Sequence, residues 1–156
     1  MTVTAKDIMT SPAVTVAPQA SLAEVSALLV SKRISAVPVC NPDGSLAGLI
    51  SEADVIRPFR ESVRLRQNWW LGLLAEGENL SQEFLDYQRQ DTRSAADLMA
   101  RHVIIADEQT TVPQLAELMT SHGVKRIPIL RDGRVTGIVS RSDLVAAIAR
   151  APAMLV

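Results

Sequence analysis

Apolar residues fall at helical spacing twice in this chain, as Leu22, Val25, Leu28 and Leu29 and again as Val112, Leu115, Leu118 and Met119. Each set draws one buried stripe along a helix. Ser21 with Glu24 and Thr111 with Gln114 open these helices in the pattern of a capping box, and Gly123 suits a left-handed cap at the end of the second. Short β-branched runs precede them, Val14-Thr15-Val16 and Val103-Ile104-Ile105, and read as buried strands. After each helix come two more apolar runs, Ala36 to Cys40 with Leu46 to Ile50, and Arg126 to Leu130 with Val135 to Val139. The Asp-Gly pairs between them, Asp43-Gly44 and Asp132-Gly133, predict hairpin turns. Pro38 and Pro128 point to sheet edges, because proline has no amide to give a neighbouring strand. A last helix opens at Ser51 and at Ser140, so the order strand–helix–strand–strand–helix occurs twice.

The two series are copies of one unit. An offset of 90 pairs Asp7 with Asp97, Met9 with Met99, Gln19 with Gln109, Leu28 with Leu118, Ser31 with Ser121 and Pro38 with Pro128. One deletion near Asp43 changes the offset to 89, which pairs Gly44 with Gly133, Gly48 with Gly137, Ser51 with Ser140 and Asp54 with Asp143. A unit of about 55 residues is marginal alone, because a small domain buries too little of its surface. The expected fold is therefore α/β, with two pseudo-symmetric units packed sheet to sheet and a helical insert between them. The boundaries are 1–57 for the first unit, 58–94 for the insert and 95–156 for the second.

Composition narrows the function. Of 156 residues, 47% are hydrophobic, and 16 Lys and Arg against 17 Asp and Glu leave a net charge of −1. That balance gives no general attraction to nucleic acid or to anionic membranes, so any anion needs a local site. Charge at Lys6 and Asp7 interrupts the N-terminus before an apolar leader develops, and no apolar run reaches the ~18 residues of a membrane span. A cytoplasmic protein is the expectation. The single Cys40 reads as a small strand hydrophobe.

Chemistry concentrates at the two helix starts, Gly48-Leu49-Ile50-Ser51-Glu52-Ala53-Asp54 and Gly137-Ile138-Val139-Ser140-Arg141-Ser142-Asp143. A serine that ends a strand and opens a helix is a good cap, and the amides behind it attract an anion. An aspartate three residues on offers two acceptor oxygens to a vicinal diol. The same spacing is that of a plain capping box, and residue types alone do not separate the two. The copies also differ: the second carries Lys125, Arg126 and Arg141 where the first has Ser35, Ala36 and Glu52. These cations suit either a phosphate or a solvated edge.

The Gly-apolar-apolar-Ser-x-x-Asp segments, the preceding Val37-Pro38-Val39 and Ile127-Pro128-Ile129, the Asp-Gly turns and the entry segments Asp7-Ile8-Met9-Thr10 and Asp97-Leu98-Met99-Ala100 together resemble cystathionine-β-synthase (CBS) domains, over about 110 of the 156 residues. The resemblance implies a non-catalytic regulatory module, an energy-sensing type that binds an adenine nucleotide such as AMP, ADP or ATP between its copies. No cofactor is required. By resemblance, Asp54 and Asp143 meet ribose hydroxyls and Ser51 and Ser140 lie nearer the phosphate. Lys125 and Arg141 match the family's basic positions, with Arg126 beside them. Adenine falls to backbone groups about Val14 and Val37, or Ile104 and Ile127. The family also implies a homodimer, and a regulated domain that is attached or separate. NAD or S-adenosylmethionine in place of AMP, and a ligand-free scaffold for dimerisation, are the alternatives.

The insert carries both tryptophans, Trp69 and Trp70, among Arg60, Arg64 and Arg66, and reads as a helical hairpin that packs on its own module or on a second subunit. Pro58 predicts a break before it. Its Arg66-Gln67-Asn68-Trp69-Trp70-Leu71 resembles the insert of bacterial CBS–BON proteins, and the close at Val156 suggests a truncated chain. An enzyme has little support: His102 and His122 lie in different elements, and no metal-ligand spacing, Gly-rich phosphate loop or nucleophile elbow occurs.

Overall fold

The computed structural model describes residues 2–60 and 92–155. The expected helical hairpin, with Trp69 and Trp70, lies outside the described residues. In chain order the elements are α1 (Ala5–Ile8), α2 (Leu22–Lys32), β1 (Ala36–Cys40), β2 (Leu46–Ser51), α3 (52–60), α4 (Ala95–Leu98), β3 (Ala106–Asp107), α5 (Val112–His122), β4 (Arg126–Arg131), β5 (Arg134–Ser140) and α6 (Arg141–Arg150), with a 3-10 turn at Pro152–Leu155. Both expected capping boxes form: Glu24 N donates to Ser21 Oγ at 3.1 Å and Gln114 N to Thr111 Oγ1 at 3.3 Å, with the acid or amide side chain returning to the cap amide. Gly123 ends α5 at φ 63°, whereas α2 ends on Arg33, which takes the same left-handed conformation at φ 53°.

Each copy contributes an antiparallel hairpin, β1 with β2 and β4 with β5. The second turns on Asp132 and Gly133, both at positive φ, the backbone of a type I′ turn. The strand expected at Val14–Val16 shrinks to a single bridge, and residues 103–105 form no strand, the pairing falling just after them. Val16 makes only a parallel bridge to Val39, and β3 is the two-residue strand Ala106–Asp107 beside β4. The prolines explain the truncation. Val16 N donates to Pro38 O at 3.1 Å and Cys40 N to Val16 O at 2.9 Å, but the next donor toward the chain start would be the amide that Pro38 lacks. Pro38 lies on an edge strand as expected, since among the described residues β1 pairs only with β2 apart from the single bridge to Val16, but Pro128 does not mark a sheet edge. β4 lies between β3 and β5, and the missing amide falls where the short parallel ladder ends.

The copies interlock. α1 donates from Ala5 N to Thr110 O at 2.7 Å and from Lys6 N to Glu108 O at 3.1 Å, both in the second copy, while α4 donates from Ala95 N to Ala20 O and Ala96 N to Pro18 O in the first. The two apolar cores are mixed accordingly. Ala5, Ile8 and Met9 pack with Leu115, Met119, Ile127 and Val139, and Ala95, Leu98 and Met99 pack with Val25, Val37, Val39 and Ile50. The glycine of each helix-start segment permits this crossing. A Cβ on Gly48 would stand 2.6 Å from Ala100 O, and one on Gly137 would stand 3.0 Å from Thr10 O and 2.4 Å from Met9 Sδ. The break expected at Pro58 is also absent, since residues 52–60 are helical with Pro58 buried among them. The helix there forgoes one amide donor rather than ending. Cys40 is half-buried, and desolvation raises its thiol above the usual range.

Candidate functional site

At the start of α6, Ser140 N and Oγ donate to Asp143 Oδ2 at 2.8 and 3.0 Å, and Asp143 N returns a bond to Ser140 Oγ at 3.2 Å. Arg141 N donates to Lys125 O at 3.0 Å. Most of the amides that could receive an anion are thus already spent, which leaves that of Ser142. Capping and ligand contact are not exclusive here: Oδ2 of the aspartate serves the cap, and only Oδ1 remains. The first copy repeats the arrangement, with Ser51 N and Oγ on Asp54 Oδ2 at 2.8 and 3.0 Å and Glu52 N on Ser35 O at 2.9 Å. Any phosphate must then be held chiefly by side chains rather than by the helix start.

The remaining carboxylate oxygens differ. Arg57 Nη2 donates to Asp54 Oδ1 from one turn along α3, and Asp54 is only 8% exposed. The residue equivalent to Arg57 in the second copy is Ala146, so Asp143 Oδ1 has no such partner among the described residues.

Asp143 opens onto a cleft of about 820 Å³ between the copies, within the volume range of small-molecule sites. Val14, Ile34, Ser35 and Ala36 line it from the first copy, and Arg126, Ser140 and Asp143 from the second. Arg126 donates through Nε to Ser35 Oγ at 3.0 Å and places Nη2 on the same hydroxyl. Burial pulls its guanidinium below its usual value, an effect the nearby Glu52 carboxylate opposes. The cleft therefore holds a partly desolvated cation whose hydrogen-bond partner is a neutral hydroxyl, and an anion with acceptor oxygens is its natural complement.

The residues singled out in the sequence separate into two groups. Val14, Arg126, Ser140 and Asp143 converge on this cleft; Ser51, Asp54, Lys125, Arg141 and Ile104 do not line it. Of the two ribose candidates, only Asp143 faces it. Lys125 and Arg141 are exposed, and their neighbour Arg126 is the base that points in. Val37 and Ile127 are fully buried, paired with Ile50 and Val139, and Ala36 lines the cleft in place of Val37. Sequence reasoning missed Ala36, Ser35 and Arg33, all of which line it. The signal was available for Ser35, which is the repeat equivalent of Lys125.

A family model, the CBS domain, matches residues 5–61 and 95–150. The chain belongs to the CBS domain family. An uncharacterised protein of Methanocaldococcus jannaschii is 34% identical to this CBS pair over 151 residues, which cover 92% of the chain and 89% of that protein. Hypoxic response protein 1 of Mycobacterium tuberculosis is 24% identical, over 90% of the chain and 82% of its own length. Among solved structures, the CBS domain of a membrane protein from Sphaerobacter thermophilus is 30% identical with a TM-score of 0.69, covering 93% of this chain and 87% of that one. CBSX2 in complex with AMP is 23% identical with a TM-score of 0.68, over 95% of this CBS pair and 97% of that chain. The MJ0100 pair in complex with 5′-methylthioadenosine and S-adenosyl-L-methionine is 22% identical with a TM-score of 0.70, over 96% and 98%. Both share the fold. Among the described residues of this CBS pair, no helix is long and apolar enough to cross a membrane, and no group of His, Cys, Asp and Glu could hold a metal ion.

Proposed function

We propose that this CBS pair is a non-catalytic, cytoplasmic regulatory module that takes an adenine nucleotide of the AMP, ADP or ATP class into the cleft beside Asp143. One observation carries the reading: Asp143, with an oxygen outside its cap, and the partly desolvated Arg126 face the same cleft from the second copy while Val14 and Ala36 close it from the first. In this assignment Asp143 Oδ1 accepts from a ribose hydroxyl and Arg126 holds the first phosphate. Lys125 and Arg141, exposed nearby, serve longer phosphate chains, and backbone groups at Val14 and Ala36 receive adenine. The AMP complex of CBSX2 supports the nucleotide class. The MJ0100 complex supports a second reading, in which another adenosyl compound occupies the same cleft.

A thermal-shift and calorimetric series with AMP, ADP, ATP, NAD and S-adenosylmethionine tests both, since a ligand bound only by the folded state raises its melting temperature. AMP is expected to stabilise the wild type, and Asp143→Ala to weaken binding at least tenfold, the scale of a lost charge-assisted hydrogen bond. An equal response from wild type and variant would remove this cleft from consideration, and no response to any adenosyl compound would leave a CBS scaffold. We assign the module to a homodimer as well. Ile56, at the rim of the cleft, and Val145 are 61% and 65% exposed and occupy equivalent positions in the two copies, apolar surface that a second copy would cover.

A further inference from the structure

We infer that Arg57 is a built-in occupant of the first half-site, so that each chain presents one open ligand site rather than two. The inference rests on the ligand class proposed above and concerns how many sites the duplicated fold makes available. Both copies commit one oxygen of the helix-start aspartate to its serine, at the same 2.8 and 3.0 Å. What separates them at the other oxygen is one residue a turn further along: Arg57 in α3 against Ala146 in α6. The Arg57 guanidinium sits on Asp54 Oδ1, the one oxygen that a diol could otherwise use, and Asp54 retains 12% side-chain exposure. A ligand at Asp54 must first displace that cation, whereas a ligand at Asp143 displaces none.

The latch is local. Arg57 and Asp54 belong to the same helix, and the Arg57 side chain is 49% exposed, so it swings into solvent without disturbing the core. Such a partly exposed pair is weak and screened by salt. It lowers the affinity of the first half-site rather than deleting it, and its removal exposes a carboxylate already held in place by Ser51. The repeat also distinguishes the sites by charge, with Glu52 against Arg141 and Ala36 against Arg126, but the difference at the aspartate itself comes from Arg57, which lies outside the helix-start segments.

Isothermal titration of the full chain with AMP reads the difference directly. The wild type is expected to bind one AMP per chain in the micromolar window, and Arg57→Ala two, with Arg57→Ala/Asp54→Ala returning to one. Ala146→Arg places the same latch on Asp143 and is expected to weaken the wild-type site severalfold, the scale of a partly exposed pair. Circular dichroism and melting temperature confirm that each variant is folded, and Arg57→Met repeats the test with a side chain of similar length. Two sites in the wild type, or one in both Arg57 variants, would overturn the latch. If the wild type binds none and Arg57→Ala binds one, the latch stands and the assignment of the Asp143 cleft falls. If neither binds, both fall.

Discussion

Replacing Gly48 by alanine probes the crossing on which the cleft depends. The added Cβ would lie 2.5 Å from Met99 Sδ and 2.6 Å from Ala100 O. The thioether can rotate away, but the carbonyl is held by a reciprocal pair of backbone bonds, Leu49 N to Ala100 O at 3.0 Å and Ala100 N to Leu49 O at 2.9 Å. Relief therefore requires the entry segment after α4 to lift off β2, at a cost of about 1–3 kcal/mol for overpacking and about 1 kcal/mol for each weakened bond. The lower backbone entropy of alanine returns roughly 0.5–1 kcal/mol. A net loss of about 2–4 kcal/mol follows, a large share of a typical domain stability of about 5–15 kcal/mol. At about 2–4 °C per kcal/mol for a chain of this size, the melting temperature should drop by about 5–15 °C. Gly137→Ala meets backbone only at 3.0 Å, with Met9 Sδ as its closest contact, and should cost less. Urea titrations followed by circular dichroism would measure both. A Gly48→Ala change within about 0.5 kcal/mol of wild type, or a larger effect at Gly137, would refute the argument.

The remaining predictions concern acid, assembly and ligand. Asp97, at the start of α4, accepts from Ser94 N at 2.8 Å and Ser94 Oγ at 3.0 Å, and these bonds hold its carboxyl below the usual range. Its contribution is present above the unfolded value near ~4 and is lost as pH falls through the lower folded value; Asp97→Asn should lower the melting temperature at pH 7 and make little difference below the folded value. Ile56→Asp with Val145→Asp should convert a dimer to a monomer by light scattering at micromolar concentration, and a wild-type monomer would refute the assembly. The ligand series on Asp143→Ala and the AMP stoichiometry of Arg57→Ala complete the set.

The sequence by itself determined the repeat, the order of elements and the chemistry of each helix start, because these are local matters. Apolar spacing marks the faces of α2 and α5, capping pairs mark where they begin, and Asp-Gly marks the hairpin turns. Ser140 and Asp143 could be recognised three residues apart with no tertiary information. Tertiary structure decided which segments belong together in space. No local signal reveals that Met9 packs against Gly137 and Met99 against Gly48, since each pair is brought into contact only by the crossing of the copies. Nor does one reveal that Arg126 turns into the cleft while Lys125 and Arg141 stay in solvent, which depends on Ser35 arriving from the other copy. The difference between Asp54 and Asp143 has the same origin. Their own segments are nearly alike, but a carboxylate's availability depends on every donor that reaches it, and for Asp54 that donor is Arg57.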